Sequence, residues 1–372
     1  MTPQARVQAA IELLDAIIDA ARSGGAAADT LIARYFSTRR YAGSKDRRAV
    51  RELVYAAIRR AGEIPESGRA AMVGLAREDA ALAAMFDGSP HCPAPIRDDE
   101  PAAPAGVAPR WLEEKLGHAA HGLLGRAPLD LRVNRLKATR DEVLALFPGA
   151  VPTPLSPDGI RFADPVPVPD DGRYEVQDEG SQLIALATGA SPGMTVVDLC
   201  AGAGGKTLAL AALMENKGLL IACDSDRARL SRLKPRAELA GASGIETRLL
   251  DPGRDAEMLA GIAADVVLVD APCSGTGTWR RNPEARWRLT PARLERLTGL
   301  QARLFGIGAS LVKPGGLLVY AVCSLLPDEG EAQAVAFLDA HPGRSLDGAP
   351  QLLSPAADGT DGFFIARLRA PC

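Results

Sequence analysis

VVDLCAGAGGKT, residues 196–207, runs from an apolar stretch through a glycine-rich turn into a segment of helix formers. Strand, tight turn, helix is the opening of a βα unit. The rhythm repeats downstream. MTVVDL (194–199), GLLIAC (218–223), ETRLL (246–250), ADVVLVD (264–270) and GLLVYAV (316–322) read as strands. Helices are predicted at 205–214, 226–239, 291–311 and 328–339, and GFFIARLR (362–369) reads as a late strand. Alternation of this kind builds a mostly parallel, doubly wound α/β sheet.

The glycine turn admits three readings. A Walker A loop needs a glycine five residues before Gly205, and Cys200 stands there. A dinucleotide fingerprint is met at Gly202 and Gly204 but fails at its third glycine, where Thr207 stands. The third reading is a loop for S-adenosylmethionine, in which glycines let the backbone approach the cofactor closely. Asp224 closes the second strand, 22 residues after Gly202, where a carboxylate can accept both ribose hydroxyls. Asp251 closes the third, where an acid can meet the adenine edge. Ligands of open parallel sheets bind at the carboxyl ends of strands, so the ordered set favours this third reading.

Upstream the periodicity changes. Val7, Ile11, Leu14, Ile18 and Ala21 share one helix face, and Gly24-Gly25 stops it. Further helices are predicted at DTLIARYF (29–36), from Ser44 with Val50, Leu53, Val54, Ala57 and Ile58 on one side, and at 70–86. Without intervening strands this predicts a helical bundle over 1–106. Six prolines within 88–109 mark a linker or long loop. A helix at PRWLEEKLG, strands at LDLRVN, GIRFA and RYEVQ, and helices at TRDEVLALF and DEGSQLIALATGA predict a small α+β unit over 107–188. The sheet domain then occupies 189–372.

DAPCSGTG (270–277) ends the fourth strand of the sheet, and YAVCSLLPDEGE (320–331) ends the fifth, placing Cys273 and Cys323 at one height. Neighbouring strands lie about 4.8 Å apart, so their end loops can meet over one small site. One cysteine there reads as a buried apolar residue; two beside a cofactor crevice read as chemistry. Nitrogen and oxygen accept a methyl group directly, whereas carbon 5 of a pyrimidine is too weak a nucleophile. A thiolate added to carbon 6 makes carbon 5 enamine-like. A free thiol has a pKa of about 8.5, so the site must favour the thiolate. Lys206 or an arginine of 280–288 supplies the cation, and Asp270 can face the ring's N3 and amino group.

The bulk numbers exclude several classes. With 47% hydrophobic and 24% charged residues, the 372-residue chain is globular rather than disordered. No run of apolar residues is long enough to span a membrane. The N-terminus reads as an amphipathic helix, not a signal peptide. Six scattered cysteines, with no zinc spacing, are expected as free thiols in a reducing compartment, hence the cytoplasm. His118 and His121 have no further ligand near them, so no metal is expected. Net charge is −3, yet residues 1–60 hold eleven Lys/Arg against six Asp/Glu, and 279–303 hold seven Arg against two Glu. The second cluster, with Trp279 and Trp287 interleaved, suggests phosphate contact and base stacking; the alternative for the tryptophans is ordinary packing.

DLCAGAGGKT, DSDRARL, DAPCSGTGTWRRNP and AVCSLLPDEGE together resemble the RsmB/Sun/Nop2 family of RNA cytosine-5 methyltransferases. PRWLEEKL, LRVN and VQDEGSQL resemble that family's preceding RNA-binding subdomain. KDRRAVRELVYAAIR resembles the NusB-like helical domain of its bacterial rRNA branch. The resemblance implies a class I (Rossmann-like) methyltransferase domain behind a small α+β subdomain and a NusB-like domain. It implies that Cys323 attacks carbon 6 and that Cys273 assists product release. It places cofactor contacts on Cys200, Ala201, Gly202, Ala203, Gly204, Gly205, Lys206, Asp224, Arg229, Asp251 and Asp270. The family loop commonly reads Cys-Ala-Ala-Pro-Gly-Gly-Lys; here Gly202 and Ala203 stand at its third and fourth places, which frees a φ angle that proline would fix.

The expectation is therefore a monomeric, cytoplasmic enzyme that methylates a cytosine of 16S ribosomal RNA, reaching the base in a loop or by flipping it. Arg280, Arg281 and Arg286 are the candidates for holding the RNA strand, and the N-terminal bundle adds affinity. The alternatives are a transfer-RNA methyltransferase and a ribosome-assembly factor without turnover.

Overall fold

The computed structural model describes residues 1–372 apart from 121 and 165; His121 thus lies outside the described residues. The chain forms two compact units, one of Met1–Gly125 with Thr278–Thr290, the other of Arg126–Gly277 with Pro291–Cys372.

The first unit is helical: α1 (Pro3–Ser23), α2 (Ala28–Ser37), α3 (Ser44–Arg60), α4 (Gly68–Ala76), α5 (Ala80–Ala83) and α6 (Arg110–Leu116). Val7, Ile11, Leu14 and Ile18 of α1 are buried with Val50, Val54 and Ile58 of α3 in one core. The single helix predicted over 70–86 is two. Asp79 accepts from the backbone N–H of Ala81 and Leu82, at 2.9 and 3.2 Å, and so caps a new helix where the old one would continue.

Residues 278–290 are the larger departure. They leave the sheet unit after the cysteine loop and fold into the helical one. The orphan groups at helix ends explain why. Arg286, wholly buried, donates to the carbonyls of Arg59 (2.8 Å), Ala61 (2.9 Å) and Ile58 at the C-terminus of α3, and to Val107 (2.6 Å). Arg288 donates to Gly25 and Ala26, at 2.9 and 2.7 Å, just past the end of α1. The Glu284 carboxylate accepts the Ala28 N–H, 3.1 Å, at the start of α2. Cations sit at C-termini and the anion at an N-terminus, as the helix dipole prefers. Trp287 joins the helical core and donates to the Ala61 carbonyl, 2.9 Å.

The second unit holds two sheets. The small one, β2-β3-β1-β4, is antiparallel and comprises β1 (Leu129–Val133), β2 (Val151–Pro152), β3 (Gly159–Phe162) and β4 (Tyr174–Val176), with α7 (Arg140–Leu146) between β1 and β2. After α8 (Glu179–Ala187) the large sheet begins: β5 (Thr195–Asp198), α9 (Gly205–Leu213), β6 (Leu219–Asp224), α10 (Arg227–Leu230), α11 (Leu233–Ala240), β7 (Ile245–Leu249), α12 (Asp255–Met258) and β8 (Ala264–Asp270). It ends with α13 (Pro291–Leu311), β9 (Val312–Val322), α14 (Glu331–Ala340), β10 (Ser345–Leu346), β11 (Gln351–Leu353) and β12 (Phe363–Arg369). The helix predicted over 226–239 is broken into α10 and α11, because Pro235 is tolerated only in a first turn.

The strand order is β10-β12-β9-β8-β5-β6-β7, with β11 on β12. The pairs from β9 to β7 are parallel, and β12 is antiparallel to β9. Alternate residues enter different cores: Val197, Ile221, Val267 and Leu318 on one face, Val196, Leu220, Val266 and Val319 on the other. The sheet is buried on both sides, which is why its strands read as apolar runs. The small sheet, expected as a region of its own within 107–188, is tied to this body. Asn134 donates to the carbonyls of Gly172 and Ala240, both 2.8 Å, and Arg236 pairs with Glu175 at 2.8 Å.

Candidate active site

From β5 the chain builds outward through β6 to β7, then returns to lay β8 on the other side of β5. The carboxyl ends of β5 and β8 thus flank the switch point where open sheets bind ligands. A cavity of about 310 Å³ opens there. Leu250, Pro252, Leu300 and Leu304 give it apolar walls, Asp224 and Arg229 a polar end, and Asp270, Cys273 and Cys323 lie at another side.

The glycine turn between β5 and α9 is shaped by two left-handed residues, Gly202 (φ +57°) and Gly204 (φ +92°). A Cβ on the first would collide with the Arg229 guanidinium and on the second with Leu233. The Gly202 N–H donates to Asp224 at 2.7 Å, and the Asp226 N–H donates to the other Asp224 oxygen at 2.7 Å. The turn and the acid at the end of β6 are therefore one construction. A close glycine cradle, an apolar slot and a carboxylate suited to a diol fit S-adenosylmethionine.

Of the expected cofactor residues, Cys200, Asp224, Arg229 and Asp270 line the cavity. Ala201, Gly202, Ala203, Gly204 and Gly205 form the turn itself, and Lys206 enters α9. Asp251 departs from expectation: it is exposed, and Leu250, Pro252 and Asp255 line the cavity at that strand end instead. Asp255 pairs with Arg303 of α13, a residue that also lines the cavity. That acid–base pair was not legible because its halves lie 48 residues apart in different elements.

The Lys206 ammonium lies 2.7 Å from Asp270. Burial pushes the Lys206 pKa down, but Asp270, by charge and hydrogen bond, more than offsets this and the net shift is upward, so the group stays charged. The two loop cysteines meet, with Sγ atoms 3.3 Å apart. Cys273 is held well above the ordinary thiol range, first by its hydrogen bond with Cys323 and then by burial. The shift favours the protonated thiol of Cys273 beside the Cys323 sulfur. Burial also pushes Cys200 well up and Cys223 to about 12, so neither is poised to react.

The arginine cluster is where expectation and structure part. Arg286 has its guanidinium on four backbone carbonyls and no surface for a phosphate. Arg280 is buried, Arg281 is half-buried, and both are already engaged within the protein. Trp279 and Trp287 are buried, so they pack rather than stack on a base. Of the expected cations, Lys206 stands beside Asp270. Among the described residues no cluster of His, Cys, Asp and Glu could hold a metal ion, and no helix is long and apolar enough to cross a membrane.

Fold and site define a class: doubly wound methyltransferases with a glycine turn, a ribose-type acid and a pair of thiols at the switch point. Residues 185–369 match the family model described as 16S rRNA methyltransferase RsmB/F, and the chain belongs to that family. Ribosomal RNA small subunit methyltransferase B of Enterobacter sp. (strain 638) is 38% identical over 284 residues, covering 70% of this chain and 66% of that protein. The protein of the same name from Salmonella arizonae is 35% identical over 283 residues, with the same two shares. The chain spans just under two thirds of the length of these relatives. The crystal structure of PH0851 superposes with a TM-score of 0.78 at 25% identity and covers 99% of both chains. The cofactor of the family is S-adenosylmethionine.

Proposed function

We propose that this protein transfers a methyl group from S-adenosylmethionine to carbon 5 of a cytosine in 16S ribosomal RNA, through a covalent bond between Cys323 and carbon 6. The observation that carries the proposal is the pair of thiols 3.3 Å apart at the edge of the cofactor-sized cavity. The names of the family and its relatives support a ribosomal RNA substrate.

Bound in the cavity, the cofactor supplies an electrophilic methyl group. The remaining work falls to side chains. Asp224 and the glycine turn hold the cofactor's ribose and main body. Asp270 faces the cytosine ring and favours its protonated, more electrophilic form, while Lys206 holds Asp270 in place and offsets its charge. Cys323 adds to carbon 6 as the thiolate. Cys273 keeps its proton until release, then gives it to the departing sulfur of Cys323.

Tritium release from RNA carrying [5-³H]cytosine tests the reading. Release that depends on S-adenosylmethionine and disappears in Cys323→Ala is expected. Release undiminished in that variant contradicts the assignment of the nucleophile.

A further inference from the structure

Six residues beyond Cys323 the chain buries a carboxylate that the steps above do not use. Glu329 has no exposed surface. One of its oxygens accepts the Ser274 N–H at 2.8 Å and the Gln301 amide at 2.9 Å; the other accepts the Ser274 hydroxyl. The same Gln301 amide donates to the Pro272 carbonyl, 2.9 Å. Both neighbours of Cys273 in sequence are therefore fixed to this one carboxylate, Ser274 directly and Pro272 through Gln301. The Glu329 main chain is fixed in turn, because the Tyr320 hydroxyl donates to its carbonyl at 2.6 Å. On the other loop, Ser324 follows Cys323 and meets the hydroxyls of Ser274 (3.2 Å) and Thr276 (3.0 Å). A carboxylate buried among neutral donors opposes folding unless its lone pairs are used. Here the donors that use them sit on the segment that aims Cys273 and on the helix behind it.

We propose that Glu329 is a positioning residue for Cys273: it holds that thiol against Cys323 and so governs release of the methylated base rather than the attack on it. The inference rests on the division of labour between the two thiols proposed above. In release, the carbon-5 proton passes to solvent and its electron pair forms the C5–C6 double bond. The C6–S pair returns to Cys323, and the Cys273 proton neutralises it; water then restores the Cys273 proton. A Cys273 thiol that drifts from Cys323 leaves the C6–S bond without its proton donor. The Glu329 charge works in the same direction, since it helps keep the proton on Cys273.

The test uses the full chain, transcribed 16S ribosomal RNA and S-adenosylmethionine with a labelled methyl group. Glu329→Gln keeps the volume but cannot accept from all three donors. Its steady-state turnover should fall tenfold or more, methyl transfer in a single turnover should stay within about threefold, and a protein–RNA adduct stable to detergent should accumulate. Adding Cys323→Ala should abolish that adduct. Ser274→Ala, which removes one of the three bonds, should trap adduct to a smaller extent, and it decides the matter if Glu329→Gln does not fold. Equal losses in both rates without adduct, or wild-type behaviour, overturn the proposal. Cys273→Ala runs alongside: no adduct there overturns the underlying reading and this inference with it, whereas adduct there and none in Glu329→Gln or Ser274→Ala overturns this inference alone.

Discussion

Asp198 sits wholly buried at the end of β5, takes the Thr207 hydroxyl at 2.7 Å on one oxygen, and has no described partner on the other. Burial pushes its carboxyl up to about 7, against the opposing pull of Thr207. The sign follows from linkage. Between about pH 4 and 7 the unfolded chain ionises this group while the folded chain keeps it neutral, so its contribution to stability is present at low pH and lost as pH rises to 7. Asp198→Asn should remove that loss. In denaturant titrations the variant should gain on the wild type as pH rises from 4 to 7, by up to roughly 4 kcal/mol. A difference that stays constant across that range contradicts the assignment. The same residue shows where a sequence stops being readable. Asp198 reads simply as the end of a strand; only the surrounding core makes it a carboxyl that resists ionisation. The pairing of Cys273 with Cys323 was legible, because strand ends align by topology. The Glu329 network was not, because it gathers residues from three separate segments.

At the scale of elements, the sheet strands are legible in the sequence, because strands buried on both faces are continuous apolar runs. The helical periodicity runs on where a polar cap or a proline divides the helix, as at Asp79 and Pro235. The segment 278–290 departs from expectation for a different reason. Arginines beside tryptophans have the composition of an RNA surface, and nothing local reveals that the carbonyls ending α1 and α3 lie waiting for them. Arg286→Ala should therefore weaken folding rather than binding. Leaving several buried carbonyls without donors should cost about 3 kcal/mol or more, measured by chemical denaturation of the full chain. The slope of log affinity for RNA against log salt should not change. A slope shallower by about 0.7, with stability intact, is the signature of a lost phosphate contact and contradicts this role.

Across the whole molecule, a net charge of −3 coexists with an excess of five positive charges in the first 60 residues. Arg34, Arg40 and Lys45 are exposed on the helical unit. We expect them to contribute RNA affinity through phosphates, a role the wholly buried Arg286 cannot fill. Replacing all three with alanine should flatten the salt slope by up to about 2 and leave S-adenosylmethionine affinity unchanged in calorimetric titration. An unchanged slope contradicts an RNA role for this face. The catalytic unit asks a separate question, and it turns on which sulfur bonds to the base. RNA with 5-fluorocytidine at the methylated position answers it, because fluorine cannot leave carbon 5 as a proton does and the covalent intermediate persists. Mass spectrometry of the digested adduct should find the nucleotide on the peptide carrying Cys323, with Cys273 unmodified. A nucleotide attached to Cys273, or a methylated RNA that never becomes attached to the protein, contradicts the account.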